Sequence, residues 1–401
     1  MSEVKSHIQE RAAALSSRLV ALRRHIHMHP ELSFEEHATG AFIEQTLAEV
    51  GIPCSTVAGT GRVALIHGNM PGNTVVGLRA DMDALPIEEA EDRPYRSTIP
   101  GKMHACGHDV HTTCLLGAAI ILQEMRDHFG GTVKLIFQPG EERLPGGASL
   151  MIGEGVLEEP KVDLMIGQHV MPQLPVGVTG FRPGLYMAST DELYLRVKGK
   201  GGHGAMPHFN IDPVTAAAQI IVALQQVVSR SANPVIPSVL SFGKVEAKGA
   251  TNIIPEEVVL EGTFRTLDEE WRSAAHERIR SIVSHTAAAF GAEATLEIRK
   301  GYPFLQNHEV LTERCKTWAS AYSGPEQVTA LGIWMAAEDF AYFSQAVPSC
   351  FYRLGVRNEA KGIVHSVHHP HFDIDEAALP LGAGMMSWLA IQALNNGLGT
   401  N

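Results

Sequence analysis

The sequence predicts an α/β protein of two domains: a metal-binding catalytic domain with a mixed sheet flanked by helices, and an inserted ferredoxin-like α+β satellite domain. Three observations predict it. Short apolar runs bounded by Gly and Pro alternate with helix-period segments, which is α/β layering. The middle of the chain runs strand, helix, strand, strand, helix, strand, the ferredoxin-like order, over an ordinary domain length. Three apolar runs stop on metal-binding residues: 75–78 leads to Asp81 and Asp83, 133–137 to Glu141 and Glu142, and 164–168 to His169. Ligands collect at the carboxyl ends of strands in open α/β sheets. Several strands delivering acids and imidazoles to one edge therefore point to a metal-dependent enzyme.

The elements follow in order. Residues 6–24 place Ile8, Ala12, Leu15, Leu19 and Leu22 at helical spacing. His25, His27 and His29 alternate before Pro30 and read as a helix end, with no carboxylate or Cys beside them to make a metal strand. A second helix covers 35–49 and stops before Gly51 and Pro53. Strands at 63–67 and 74–78 flank the turn-rich linker 68–73. A helix over 112–125 and the strands 133–137 and 164–168 come next. In the middle unit, 192–198 alternates as a strand and 213–229 is an amphipathic helix with Pro213 near its first turn. Strands at 239–245 and 258–266, a helix over 269–290 stopped by Gly291, and a strand at 295–299 complete it. An apolar helix over 377–393 closes the chain. Both flanks of the insertion read as one catalytic domain, 1–188 and 301–401, around a satellite domain of 189–300.

The 401 residues are 45% hydrophobic and 19% charged, ordinary for a globular chain of two or three domains. A formal net charge of −12 with no basic run argues against a nucleic-acid partner. No window holds eighteen uninterrupted apolar residues and the N-terminus lacks the apolar core of a secretion signal. No membrane partner is expected, and a cytoplasmic enzyme is. Cys54, Cys106, Cys114, Cys315 and Cys350 are irregularly spaced with no CxxC pair, which fits a reducing compartment and no disulfide framework.

The chemistry concentrates in a few motifs. Cys106 and His108 stand two apart, and Gly107 between them permits an irregular turn that brings both to one point. Thiolate plus imidazole suits zinc or another borderline-soft metal. His104 and His111 read as supporting residues. Glu141 and Glu142 are adjacent carboxylates whose repulsion asks for a cation. One can hold a metal while the other takes a proton from the attacking water. Of Asp81 and Asp83, one could bind metal and the other fix the tautomer of a ligand histidine. The loop 199–204 is Gly-rich but lacks the spacing of a phosphate cradle, so its role is better read as presenting His203 to a substrate.

Together these motifs resemble the two-domain dinuclear metallohydrolases that include aminoacylases, glutamate-releasing carboxypeptidases and succinyl-diaminopimelate desuccinylase. The nearest branch is that of hippurate hydrolases and plant indole-acetyl-amino-acid hydrolases. The signatures are 24–33, 77–86, 103–109, 138–142, 199–208, 251–255 and 367–376, in the family's order across nearly the whole chain. The resemblance implies two divalent ions (zinc, or manganese, cobalt or nickel) on Cys106, His108, Glu142, His169 and His368. The family pattern sets the last ligand two residues before the proline, which selects His368 from the cluster His365, His368, His369 and His371. Glu141 is implied as general base and acid, and Asp83 as the residue that orients the site. His203, Asn252 and Arg265 on the satellite domain would hold the substrate carboxylate and the developing oxyanion. That domain is further implied to close on the catalytic domain and to build a homodimer or higher homo-oligomer. The implied reaction is hydrolysis of N-acyl amino acids, hippurate-like, N-acetyl or aryl-acyl, to a carboxylic acid and an amino acid. A dipeptidase or carboxypeptidase of the same family is the alternative, and a non-catalytic ligand-binding relative the alternative from another class.

Overall fold

The computed structural model describes residues 2–397, so residues 1 and 398–401 at the ends of the expected catalytic domain lie outside the described residues. The chain divides into two compact units. One comprises Met1–Tyr186, Gln306–Ile333 and Asp339–Asn401, and the other Met187–Leu305 and Trp334–Glu338. Each has its own cluster of buried apolar side chains.

The larger unit is built on an eight-stranded sheet. In spatial order its strands are Cys54–Val57, Gly61–His67, Gly130–Gln138, Met70–Asp81, Leu164–Pro175, Ser349–Arg357, Thr179–Phe181 and Val328–Ala330. The four central strands, from Gly130–Gln138 to Ser349–Arg357, are mutually parallel. Antiparallel pairings on either side of them make the sheet mixed. Parallel strands buried on both faces read as largely apolar runs, which is why 75–78, 133–137 (apart from Lys134) and 164–168 (apart from Gln168) stand out. The helices His108–Glu124 and Ala378–Asn396 are buried along most of their length and pack on each other and on Met70–Asp81.

Several boundaries differ from expectation. The first helical segment is two helices, Ser2–Ala14 and Ser16–Met28, although Leu15 still bonds Arg11 O at 3.0 Å and receives Leu19 N–H at 2.9 Å. The helix expected over 112–125 begins at His108, directly after Gly107, whose φ of +85° turns the chain into it. The strand expected to lead up to His169 continues through it to Pro175.

The smaller unit has a four-stranded antiparallel sheet in the order Ser238–Ala247, Glu257–Thr266, Asp191–Lys198, Glu293–Lys300. Numbered along the chain this is 2-3-1-4, and with the helices Pro213–Gln226 and Glu269–Ala289 it is the ferredoxin-like arrangement. Asp212 caps the first helix on Val214 N–H at 2.8 Å, ahead of Pro213, and Asp268 caps the second on Trp271 N–H at 2.7 Å. This unit takes in Trp334–Glu338 beyond the expected 189–300, with Ala188 N–H donating to Ala336 O at 3.0 Å. No pattern in the sequence marks that return. No helix among the described residues is long and apolar enough to cross a membrane.

Candidate metal centre

The parallel strands deliver the site. Met70–Asp81 ends on Asp81, with Asp83 two residues on. Gly130–Gln138 ends three residues before Glu141. The register sets Arg79 beside Gly167, so His169 stands level with Asp81, where the neighbouring strand stops. Cys106 and His108 flank Gly107, and a Cβ there would meet Val170 Cγ2 at 2.6 Å. Positive φ and this close approach both require glycine, and the turn it makes sets Cys106 and His108 toward one point.

The expected donor atoms converge in three overlapping groups among others that share His108 or Glu141. Cys106, His108 and His169 form one, Cys106, Glu142 and His368 a second, and His108, Glu141 and Glu142 a third, each with its donor atoms within 4.8 Å of one another. His169 Nε2 lies 3.5 Å from Cys106 Sγ, and His368 Nε2 lies 3.2 Å from Glu142 Oε1. His368 sits on an irregular loop with φ of +63°.

Asp83 underpins this arrangement. Its Oδ1 accepts from His108 Nδ1 at 3.1 Å and from Glu141 N–H at 3.0 Å. Its Oδ2 accepts from Ser33 Oγ at 2.6 Å and from Glu142 N–H at 3.0 Å. One buried carboxylate thus fixes the peptides of both glutamates and leaves His108 Nε2 as the ring's free donor atom. Asp339 N–H approaches Glu141 Oε1 at 3.4 Å. Asp81 is committed elsewhere, to Arg79 Nη1 at 2.7 Å and His111 Nδ1 at 2.5 Å. His111 Nε2 accepts Val170 N–H at 2.8 Å, and His169 Nδ1 donates to Val170 O at 2.7 Å.

The electrostatics call for a cation. Burial, then the charges of Glu142 and Glu141, push the Cys106 thiol well above its ordinary range. Burial opposes charge on His108, but Asp81 and Asp83 outweigh it and push the imidazole up to about 10. Burial, with His111 next, holds His169 well below the usual imidazole range. Burial opposes ionisation of Asp83 too, yet the hydrogen bond and charge of His108 keep it below the usual carboxylate range. His108 Nε2 is buried without a hydrogen-bond partner among the described residues, with Asp81 Oδ2 3.6 Å away. A thiol, three imidazoles and two glutamates aimed at one small space form a donor set for borderline divalent ions, and the residues fit such a group.

The other expected residues lie in the smaller unit. His203 is on the two-residue strand Gly202–His203, paired with Ile253–Ile254, and it is exposed. Asn252 is adjacent, its carbonyl taking Gly204 N–H at 2.9 Å. Arg265 lies apart from them in sequence, on Glu257–Thr266. It is half-buried and donates to Met335 O at 3.2 Å, with no carboxylate in ion-pair reach among the described residues. Burial lowers its pKa. Sequence reasoning missed Ser33, Arg79, Gln138 and Asp339 as parts of the site. Asp339 receives Arg79 Nη2, Gln138 Nε2 and Ala148 N–H at 2.8–3.0 Å. Ser33, Arg79 and Gln138 lie inside the 24–33, 77–86 and 138–142 signatures, the available hint; Asp339 lies outside them all.

Comparison with known proteins agrees with this geometry. The sequence pattern of "Peptidase family M20/M25/M40" matches residues 77–392. The chain is 41% identical over 368 residues to the N-acetyl-L-cysteine deacetylase of Bacillus subtilis, covering 92% of this chain and 86% of that protein. It is 41% identical over 382 residues to thermostable carboxypeptidase 2 of Saccharolobus solfataricus, covering 94% and 95%. Among solved structures it resembles a dinuclear metal-binding M20 peptidase from Bacillus subtilis, with a TM-score of 0.81 at 36% identity, covering 96% and 99%.

Proposed function

This chain belongs to peptidase family M20/M25/M40, and from that premise we propose that its reaction is hydrolysis of the amide bond of N-acyl amino acids, giving a carboxylic acid and an amino acid. It is a metal-dependent hydrolase of that family. The observation that carries the reading is the Glu141–Glu142 pair, with both peptides pinned by Asp83, one side chain beside His368 and the other within 4.0 Å of His108 Nε2. Two divalent ions, zinc or manganese, cobalt or nickel, held by Cys106, His108, Glu142, His169 and His368, would polarise the amide carbonyl and acidify the attacking water.

Glu141 is then the proton carrier. Its carboxylate takes a proton from the water and returns it to the leaving amine nitrogen. Asp83 holds the His108 proton on Nδ1, which keeps Nε2 available. Arg265 offers a guanidinium without a carboxylate partner among the described residues, suited to the carboxylate of the substrate's amino acid. His203 and Asn252 serve the developing oxyanion. We also assign the smaller unit the role of a closing domain that builds a homodimer, supported by the exposed Val239 and Val245 on its edge strand Ser238–Ala247, and we place the enzyme in the cytoplasm.

A panel of N-acyl amino acids and free dipeptides, assayed with metal-stripped and metal-restored protein, tests the reading. Turnover of blocked substrates only after metal is restored is expected. Turnover confined to peptides with a free amino group would replace it with the carboxypeptidase or dipeptidase alternative, which the Saccharolobus relative represents by name.

A further inference from the structure

Arg23 lies on the helix Ser16–Met28 with a fully buried side chain. Its guanidinium grips two distant segments at once. Nε donates to Asp109 Oδ2 at 2.7 Å, and Nη2 donates to Asp373 Oδ1 at 3.1 Å. Asp109 directly follows His108, and Asp373 stands five residues after His368. The Asp109 side chain is 0% exposed and that of Asp373 10%.

A buried ion pair gives little net stability, since desolvation offsets most of the attraction. The triad therefore asks for another account. The segment around His368 has no regular structure, and His368 itself holds a left-handed φ that a non-glycine residue adopts only when its surroundings impose it. Those surroundings are a set of ties. His368 N–H donates to Ala105 O at 2.7 Å, and Ala90 N–H to Pro370 O at 3.0 Å. Arg93 donates to Phe372 O at 2.9 Å and His371 O at 3.1 Å. Tyr95 Oη donates to Asp373 Oδ2 at 2.8 Å, and His27 Nδ1 bonds Asp109 Oδ2 at 2.8 Å. Arg23 joins the two ends of this network.

We propose that Arg23 is a positioning residue for the metal centre, setting the separation of the His108 and His368 segments by holding Asp109 and Asp373 in one rigid fork. The inference rests on the reading that those two histidines hold metal. A planar guanidinium with five donors spans two carboxylates in fixed geometry, whereas an ammonium is a single point of charge. Arg23 touches neither His108 nor His368 by any hydrogen bond, so its effect passes through the two aspartates.

The test uses the full chain, stripped of metal and titrated with cobalt(II), alongside the melting temperature of the stripped protein. In Arg23→Lys and Asp373→Asn, cobalt binding should weaken by about 10–100-fold, the usual effect of losing a residue that orients ligands. A lower melting temperature with wild-type cobalt affinity in the folded protein would make the triad a packing feature and overturn the proposal. If those variants fail to fold, Tyr95→Phe removes one tie to Asp373 without stranding a charge. Cobalt affinity a few-fold below wild type is expected of it, and unchanged affinity counts against the proposal. His368→Ala is the control. If wild type binds no cobalt, or His368→Ala binds it as wild type does, the metal assignment fails, which is distinct from failure of the Arg23 fork alone.

Discussion

Asp83→Asn tests the centre most directly, because one carboxylate there takes four hydrogen bonds. An amide keeps one oxygen and exchanges the other for an NH2 group. The cost depends on which pair of donors the NH2 must face. Toward His108 and Glu141 it would oppose a ring N–H and a peptide N–H, neither of which can turn away. Toward Ser33 and Glu142 it opposes a hydroxyl that can rotate to accept and only one fixed N–H. The second orientation costs less, so the remaining oxygen stays on His108 and the Glu142 peptide loses its acceptor. One half-buried hydrogen bond to a charged group is lost, about 1.5–3 kcal/mol. At about 1.4 kcal/mol per tenfold, metal affinity should fall by roughly 10–100-fold, since the loosened peptide is that of Glu142, a ligand in the proposed assignment. The assay is zinc titration of stripped protein against a competing chelator, with turnover at saturating zinc. Wild-type affinity would refute the orienting role of Asp83. A loss beyond about 1000-fold would exceed what one orienting bond supplies and make Asp83 a ligand.

Four further outcomes are expected. Glu141→Gln should keep metal content near wild type and lose about 10²–10⁴-fold in kcat; substantial turnover with two ions bound would remove Glu141 as the base. Cys106→Ser should weaken zinc more than manganese, because thiolate favours the softer ion; equal zinc occupancy after dialysis would give Cys106 a structural role. His203→Ala should fold and bind metal normally while kcat and kcat/KM fall together by about 10²–10³-fold, the loss of an interaction made in the transition state. A lowered melting temperature with unchanged kcat would return His203 to packing. In the smaller unit, Asp191 bonds Arg272 and His276, each at 2.7 Å. Burial opposes its charge, but the bonds from His276 and Arg272 hold its pKa below the ordinary value. A carboxylate held low adds stability above its unfolded value of about 4 and loses it as pH falls through the folded value. Asp191→Asn should therefore lower the melting temperature at pH 7, with a gap that narrows below about pH 4; an equal gap at pH 3 and pH 7 would contradict this.

What was legible in the sequence follows a physical rule. Strands buried on both faces must be apolar, and chains must turn at their ends, so the runs before Asp81, Glu141 and His169 announce themselves locally. The alternation of 192–198 and Pro213 at the first turn of its helix are local as well. Ser33 falls inside the 24–33 signature, but no local periodicity gives its partner, because its bond to Asp83 spans 50 residues. Arg23 reaches Asp373 across 350 residues. His27, read as a mere helix end, is fully buried against Asp109 because the helix runs on to Met28 and turns that ring inward. Long-range partners of this kind have no spacing for a periodicity to reveal.

The division of labour between Asp81 and Asp83 shows why the fold had to settle it. Both are buried and two residues apart; the residues by themselves left open which would meet a metal and which a histidine, and only the family resemblance singled out Asp83. Partners decide. Val170 N–H donates to His111 Nε2, so a neutral His111 carries its proton on Nδ1 and gives it to Asp81, whose second oxygen takes Arg79. Both Asp81 oxygens are thereby engaged. The same Val170 peptide offers its carbonyl to His169 Nδ1, which leaves His169 Nε2 facing Cys106. Asp83 performs the equivalent task for His108 directly. The Nδ1 protons of His108 and His169 are thus held by different devices: one by a carboxylate, the other by a peptide that the Arg79–Asp81–His111 chain holds in place. The directions of the His108 and His169 rings are thereby set on folding; an ion held there would displace the second proton of His108, and ordering these rings would not weaken its binding.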